Sequence, residues 1–191
     1  MSDIVFRDGE LVILRPLERG DVPTLRKWIN NPEVTHFLLR ALPAGEKEEE
    51  EFVESSSSRK GDVILGIVAK KEGKLIGIIG LHNIDHVHGH AVTGTIIGER
   101  EYWNKGYGTE AKMLLLDLAF NRLNLRVIRS DIIAYNGRSI AYAKKCGYRQ
   151  VGRLPGWIER DGKRHDEVIL VVTAKRWRPL WKAYIKNRNV S

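Results

Sequence analysis

Apolar residues in this chain come in two rhythms, and their succession lays out a domain of mixed class. Glu10 to Leu17 reads as a first strand, after which Gly20-Asp21 caps a helix that carries Leu25, Trp28 and Ile29 to a break at Asn31-Pro32. A second helix is expected over Glu46 to Ser55, closed by a short serine loop at Ser55 to Ser58. Val63 to Lys70 and Lys74 to Leu81 are strand-like runs joined by a tight turn at Glu72-Gly73, which predicts an antiparallel hairpin. Another strand fits Ala91 to Gly98. Ala111, Leu114, Leu115 and Leu118 then repeat at helical spacing toward Leu123, and a strand follows over Arg126 to Tyr135. After Asn136-Gly137 comes a short helix closed by Gly147, and a last hairpin turns at Asp161-Gly162 with its second arm over Glu167 to Thr173. Hairpins followed by one strand-helix-strand unit predict an α+β domain, a mixed and mostly antiparallel sheet flanked by helices. We expect it over residues 1–175, with a basic aromatic extension over 176–191.

Composition narrows the partners. At 191 residues the chain has enough interior for one hydrophobic core, and its single cysteine, Cys146, excludes an internal disulfide framework. No apolar run of membrane length and no basic-then-apolar leader is present, so a cytoplasmic, membrane-free protein is expected. The formal charge of +8 favours anionic ligands or partners, which keeps phosphorylated cofactors, RNA and ribosomes in view.

The candidate chemistry centres on Tyr102-Trp103-Asn104-Lys105-Gly106-Tyr107-Gly108-Thr109-Glu110-Ala111, where two closely spaced glycines run into an amphipathic helix. The first N–H groups of a helix lack internal acceptors and sit at the positive end of its dipole, so such a turn is suited to a phosphate. Gly106 and Gly108 let the backbone come close to the anion, and Lys105 adds a full charge at the rim.

This turn, the order of elements, and Asn136-Gly137-Arg138-Ser139 followed by Lys145-Cys146-Gly147-Tyr148 together resemble the GCN5-related N-acetyltransferases (GNAT). The resemblance is greatest to the branch holding ribosomal-protein N-terminal acetyltransferases and spermidine acetyltransferases. It implies a sheet splayed at the cofactor site and direct transfer of acetyl from acetyl-CoA to a primary amine, with no metal. Lys105, Gly106, Tyr107, Gly108 and Thr109 would take the pyrophosphate, and the pantetheine arm would run along the strand ending at Ile96, Ile97 and Gly98, whose backbone N–H groups would polarise the thioester carbonyl. Asn136 would orient that arm, with Arg138, Ser139 and Tyr142 near the thiol and phosphates. Two positions depart from the family pattern: Trp103 stands where many members have glutamine or arginine, and Ala143 stands where the tyrosine that protonates the leaving thiolate is usual. Tyr142 is adjacent, but one helical residue turns a side chain by roughly 100°. Tyr142, Ser139 and water are the candidate acids.

The attacking amine must be neutral. Holding a protein α-amine neutral at pH 7 costs about 1 to 1.4 kcal/mol, against roughly 4.6 kcal/mol for a lysine-like amine. A protein N-terminal α-amine, of the ribosomal-protein type, is therefore the expected acceptor, with a polyamine or other small amine as the alternative. His82 ranks first as the base among His82, Asp85, His90 and Glu99, although a buried hydrogen bond is the commoner role for such an isolated histidine. The acidic run Glu46 to Glu54 reads either as a solvated helix face or as an attractor for a cationic acceptor; Glu33 and His36 stand in the neighbouring loop. A monomer or homodimer, with ribosome proximity, is the expected assembly.

Three other readings compete. Gly106-x-Gly108-x-x-Ala111 with Asp131 also satisfies a short dinucleotide fingerprint, yet the turn follows antiparallel strands and Asp131 falls inside its strand. His82, His86, His88 and His90 suit either zinc or a surface turn around Gly89. In the tail, Trp177, Trp181, Tyr184 and Ile185 interleave with basic residues, which fits RNA stacking or a helix packed on the body; the first makes an RNA- or ribosome-binding module the rival function.

Overall fold

The protein was analysed as a computed structural model, which describes residues 4–39 and 42–188. Residues 1–3 and 40–41 of the expected domain and 189–191 of the expected extension lie outside the described residues. Eight strands form one sheet: β1 (Arg7–Asp8), β2 (Val12–Arg15), β3 (Val63–Ala69), β4 (Lys74–Asp85), β5 (His90–Ile97), β6 (Val127–Ile133), β7 (Arg149–Arg160) and β8 (Lys163–Thr173). Their order across the sheet is β1-β2-β3-β4-β5-β6-β8-β7, and every neighbouring pair is antiparallel except β5 with β6.

Period-two alternation gives the sheet two buried faces. On one, α1 (Val22–Ile29), α2 (Pro32–Thr35) and α3 (Glu46–Ser56) bring Leu25, Trp28, Val34 and Val53 down on Ile64, Val68 and Leu75. On the other, α4 (Tyr107–Asp117), α5 (Gly137–Lys145) and α6 (Ala174–Arg188) cover Ile67, Ile76, Leu81, Ile128 and Leu170 with Leu114, Leu115, Ala143 and Trp177. Trp177 is fully buried against Phe120, and its stack continues through Trp181 to Tyr184. The tail aromatics therefore pack on the body; Ile185, expected with them, stays 38% exposed.

Several boundaries differ from expectation for identifiable reasons. Asn31-Pro32 does end α1, but Asn31 accepts the Glu33 N–H at 3.0 Å and Pro32 stands at the start of α2, so the break is also a beginning. β4 runs beyond Leu81 to Asp85 because Asp85 pairs with His90 across an irregular step. The first strand keeps only Val12–Arg15, led in by the two-residue β1. The turn Asp161-Gly162 has positive φ at both residues (53° and 73°), as a two-residue hairpin connection requires, and the paired second arm starts at Lys163.

One buried polar group stands out between α4 and α5. Lys112 is 1% exposed, its Nζ has no hydrogen-bond partner, and it lies 5.8 Å from the ring centres of both Tyr142 and Tyr148. Burial lowers its ammonium to about 7. The native state thus binds fewer protons here than the unfolded chain from about pH 7 to about pH 10.5, and stability rises with pH across that window. Lys112→Met, close in volume, should stabilise the fold most at pH 6, by at most ~5 kcal/mol, with the gain shrinking as pH rises. Urea midpoints of both proteins at pH 6 and pH 9 check this; a pH-independent difference would remove the assigned cause.

Candidate active site

β5 and β6 are paired only through His90, Ala91 and Val92 opposite Val127, Ile128 and Arg129, and then part. At the fork the Thr93 hydroxyl donates to the Arg129 carbonyl (3.3 Å) and lies 3.1 Å from the Tyr148 hydroxyl. On its other side β5 stays in register with β4 as far as Ile97, and the Gly98 N–H donates to Ile76 O at 2.9 Å. The alternation of an antiparallel ladder therefore turns the backbone groups of Thr93, Thr95 and Ile97 toward the gap. Trp103 Nε1 donates to Ile97 O at 2.7 Å, so the departure from the family pattern at this position closes one of those groups.

A cavity of about 620 Å³ passes through the parted strands and joins the two helical layers. Its α4–α5 side begins at the glycine turn. Gly106 adopts φ 93° at the N-cap of α4, a left-handed conformation that favours glycine, and its carbonyl accepts the Glu110 N–H at 2.9 Å. The N–H groups of Tyr107, Gly108 and Thr109 precede that first helical bond and lack acceptors within the helix. The turn is held from behind by the buried Glu110 carboxylate, which accepts from the N–H groups of Glu10, Leu11 and Val12 (2.7–2.9 Å) and from the Tyr184 hydroxyl (2.6 Å). Burial, and with it the bond to Glu110, pushes the Tyr184 phenol above its ordinary range.

α5 starts at the other rim. Asn136 is its buried N-cap, with Oδ1 accepting the Ser139 N–H at 3.1 Å. The Arg138 guanidinium lies 3.8 Å over the Trp103 ring and 4.9 Å over Phe37, bridging the two layers across the cavity mouth. Burial, together with Arg100, lowers its pKa. The Tyr135 hydroxyl ties the same mouth by donating to His36 O at 2.6 Å, and Arg160 donates to Leu38 O.

Among the residues expected to bind cofactor, Ile96, Ile97, Gly106, Gly108, Thr109, Asn136, Arg138, Ser139 and Tyr142 border this cavity. Lys105 is exposed at the rim, and Tyr107 packs its ring edge-on against Tyr102. Gly98 lies under Trp28, where any Cβ would fall inside the indole. Trp28 is in turn fixed by its Nε1–H donating to Glu99 Oε1 at 2.8 Å. Burial raises the Glu99 pKa, but the bonds from Trp28 and Lys74 outweigh it and hold the carboxyl below its ordinary value.

The expected catalytic residues divide between the two faces. Ser139 and Tyr142 stand on the α5 side, with burial pushing the Tyr142 phenol far above its usual range. His82 stands on the α1–α3 side, its ring over the facing backbone pair Gly80 and Gly94. His82 Nδ1 lies 3.3 Å from Asp62 Oδ2, while Asp62 Oδ1 accepts the Asn83 N–H at 3.0 Å. This partner was not anticipated from the sequence. The rival bases are placed elsewhere: Asp85 and His90 pair at the far end of the β4–β5 hairpin, and Glu99 is engaged by Trp28, Lys27 and Lys74.

The α1–α3 side of the cavity is mostly apolar, with Trp28, Val34, Phe37, Phe52, Ile78 and Ile96 on its walls. Of the acidic run on α3, Glu49 is buried and borders the cavity, whereas Glu46 and Glu54 form surface pairs with Arg26 and Arg19. Glu33 pairs with Arg100 (2.8 Å), and Asp131, on the cavity wall, pairs with Arg129 (2.7 Å). His86, His88 and Gly89 form the surface turn between β4 and β5, and no group of three His, Cys, Asp or Glu among the described residues is placed to hold a metal ion. No helix among the described residues is long and apolar enough to cross a membrane.

Residues 12–149 match the family model described as an acetyltransferase (GNAT) domain. The chain is 31% identical over 153 residues to the spermidine N(1)-acetyltransferase of Escherichia coli K12, covering 75% of each chain. It is 27% identical over 160 residues to the uncharacterized N-acetyltransferase p20 of Bacillus licheniformis, covering 82% of this chain and 89% of that one. Its fold is similar to that of the spermidine N-acetyltransferase from Vibrio cholerae, solved in complex with CoA and spermine: the TM-score is 0.81 at 22% identity, over 89% of this chain and 99% of the other. With the parted strands and the glycine turn already in place, these matches identify the chain as a member of the GNAT family, an acetyl-CoA-dependent N-acetyltransferase.

Proposed function

We propose that this acetyltransferase modifies the α-amine of a protein or peptide amino terminus, with His82 as the base. The observation that carries the reading is the His82–Asp62 pair, with His82 bordering a pocket whose α1–α3 side is mostly apolar. An imidazole has the basicity to take a proton from an α-ammonium, whose neutral form costs about 1 to 1.4 kcal/mol at pH 7; a polyamine asks for roughly 4.6 kcal/mol. Asp62, accepting from Nδ1–H, holds the tautomer that turns the Nε2 lone pair to the cavity. The apolar walls suit the first side chains of a peptide, and most carboxylates nearby are already matched to arginines.

Acetyl-CoA supplies an activated acyl group as a thioester. The open cradle at the head of α4 fits its phosphates: the N–H groups of Tyr107, Gly108 and Thr109 would hold the diphosphate, with Lys105 at the rim. Backbone groups of the parted β5, alongside Ile96 and Ile97, would pair with the amides of the pantetheine arm. Asn136 and Arg138 shape the far wall, and the Ser139 hydroxyl would donate a proton to the departing sulfur, with Tyr142, whose phenol burial holds far above its usual range, the weaker donor. A second reading, a spermidine-type acceptor, is favoured by the identity to a spermidine acetyltransferase and by the buried Glu49 on the cavity wall.

Thiol release from acetyl-CoA should be fastest with peptides bearing free amino termini and absent with the same peptides blocked at that terminus. Faster turnover of spermidine than of every peptide would replace the primary reading with the second. His82→Ala should lower kcat by about 10²- to 10⁴-fold with little change in acetyl-CoA affinity, and Asp62→Asn should lower it less. Steady-state kinetics with calorimetric titration of the cofactor separates the two effects; a His82→Ala enzyme with normal kcat would remove His82 as the base.

A further inference from the structure

α6 carries six Lys and Arg residues and no Asp or Glu. Two of the six serve the fold: Arg176 donates to Gly147 O (2.6 Å) and Arg188 to Asp8 O (2.9 Å). The other four, Lys175, Arg178, Lys182 and Lys186, are exposed, and no described carboxylate pairs with any of them. Their spacing of three, four and four residues places them on one helical face, away from the buried Trp177 and the half-buried Trp181 and Tyr184. The stripe is roughly 17 Å long at 1.5 Å per residue. At its base Arg126 shares a surface groove with Lys175 and Arg178, and none of these residues borders the active-site cavity.

From this placement we propose that the outer face of α6 docks the phosphate backbone of a nucleic-acid duplex, RNA in the first instance. The tail aromatics are committed to the body, so base stacking is not available and point charges remain. An anionic membrane surface binds such a helix by burying its apolar face, which here already packs on the domain. A protein partner needs an apolar centre to its interface, and the large apolar side chains exposed on α6 are only Leu180 and Ile185, at 39% and 38%. Evenly spaced cations match a polyanion of regular charge, and the formal +8 of the whole chain adds long-range attraction.

The test is fluorescence anisotropy of the full chain with a labelled RNA hairpin, a DNA duplex of equal length and phosphatidylserine vesicles, across a potassium chloride series. The variant Lys175→Gln/Arg178→Gln/Lys182→Gln/Lys186→Gln is compared with Lys47→Gln/Lys60→Gln/Lys71→Gln/Lys163→Gln, which removes equal charge from other exposed positions. The wild-type affinity should fall by about 10²-fold between 50 and 200 mM salt, and the slope of log Kd against log salt should drop by about one per residue removed from the stripe. The pairs Lys175→Gln/Arg178→Gln and Lys182→Gln/Lys186→Gln, each with half of that effect, keep the test independent of whether the fourfold variant folds, which circular dichroism reports. Equal loss in the stripe and control variants would reduce the effect to net charge and overturn the proposal. So would tighter binding to vesicles than to either duplex, or no salt-dependent binding at all. Stronger binding of DNA than of RNA would keep the phosphate surface and overturn the assignment to RNA.

Discussion

Two neighbouring strands in the middle of a sheet ordinarily satisfy each other's backbone groups along their whole shared length, and here they stop after three residues. The central cavity follows from that unmet pairing. The gap between β5 and β6 lets the α1–α3 layer and the α4–α5 layer border one cavity, and it presents polar backbone to a ligand at no cost in side-chain ordering. Its width is not left to chance. Thr93, Arg129 and Tyr148 fasten the fork, Gly98 N–H and Ile76 O fasten the far end of β5, and Arg138 lies across the opening between Trp103 and Phe37.

Carboxylates divide the remaining labour by what surrounds them. Glu110 is buried behind the glycine turn with four donors on its two oxygens, so its charge is fully matched and it acts as a fixed peg. Asp62 is partly open, holds one backbone N–H and leaves its second oxygen for an imidazole. Glu99 sits among lysines and an indole, where it locks Trp28 onto Gly98. The acidic run on α3, conspicuous in the sequence, contributes one residue to the cavity, while Glu46 and Glu54 form surface pairs whose worth is small.

The frame of the domain was legible because it rests on local chemistry: turn residues at Gly73 and Asp161-Gly162, the glycine of the α4 cap, and apolar repeats at two periods. The residues expected at the cofactor fall in three short segments, around Ile97, Gly106 and Asn136, and most of them border the cavity. The α1–α3 side was less legible. Counting outward from the β3–β4 turn pairs Asp62 with Leu81, and only the irregularity between Ile67 and Val68 slips the register by one and sets Asp62 beside His82. Likewise nothing local marks Lys112 as buried or Glu110 as the anchor of a turn a hundred residues from its partners. Those are properties of packing between distant segments, which periodicity does not encode.

The bond from Tyr184 to Glu110 gives the order of synthesis a physical meaning. α6 is the last of the described elements to leave the ribosome, yet it supplies one of the four donors to the carboxylate that braces the glycine turn, and it seals Trp177 into the core. A nascent chain that has completed the whole sheet still holds an unsheathed hydrophobic face and an incompletely braced glycine turn. Bracing of the glycine turn is thereby coupled to the docking of α6, so the turn gains its fourth donor only after the sheet has been made.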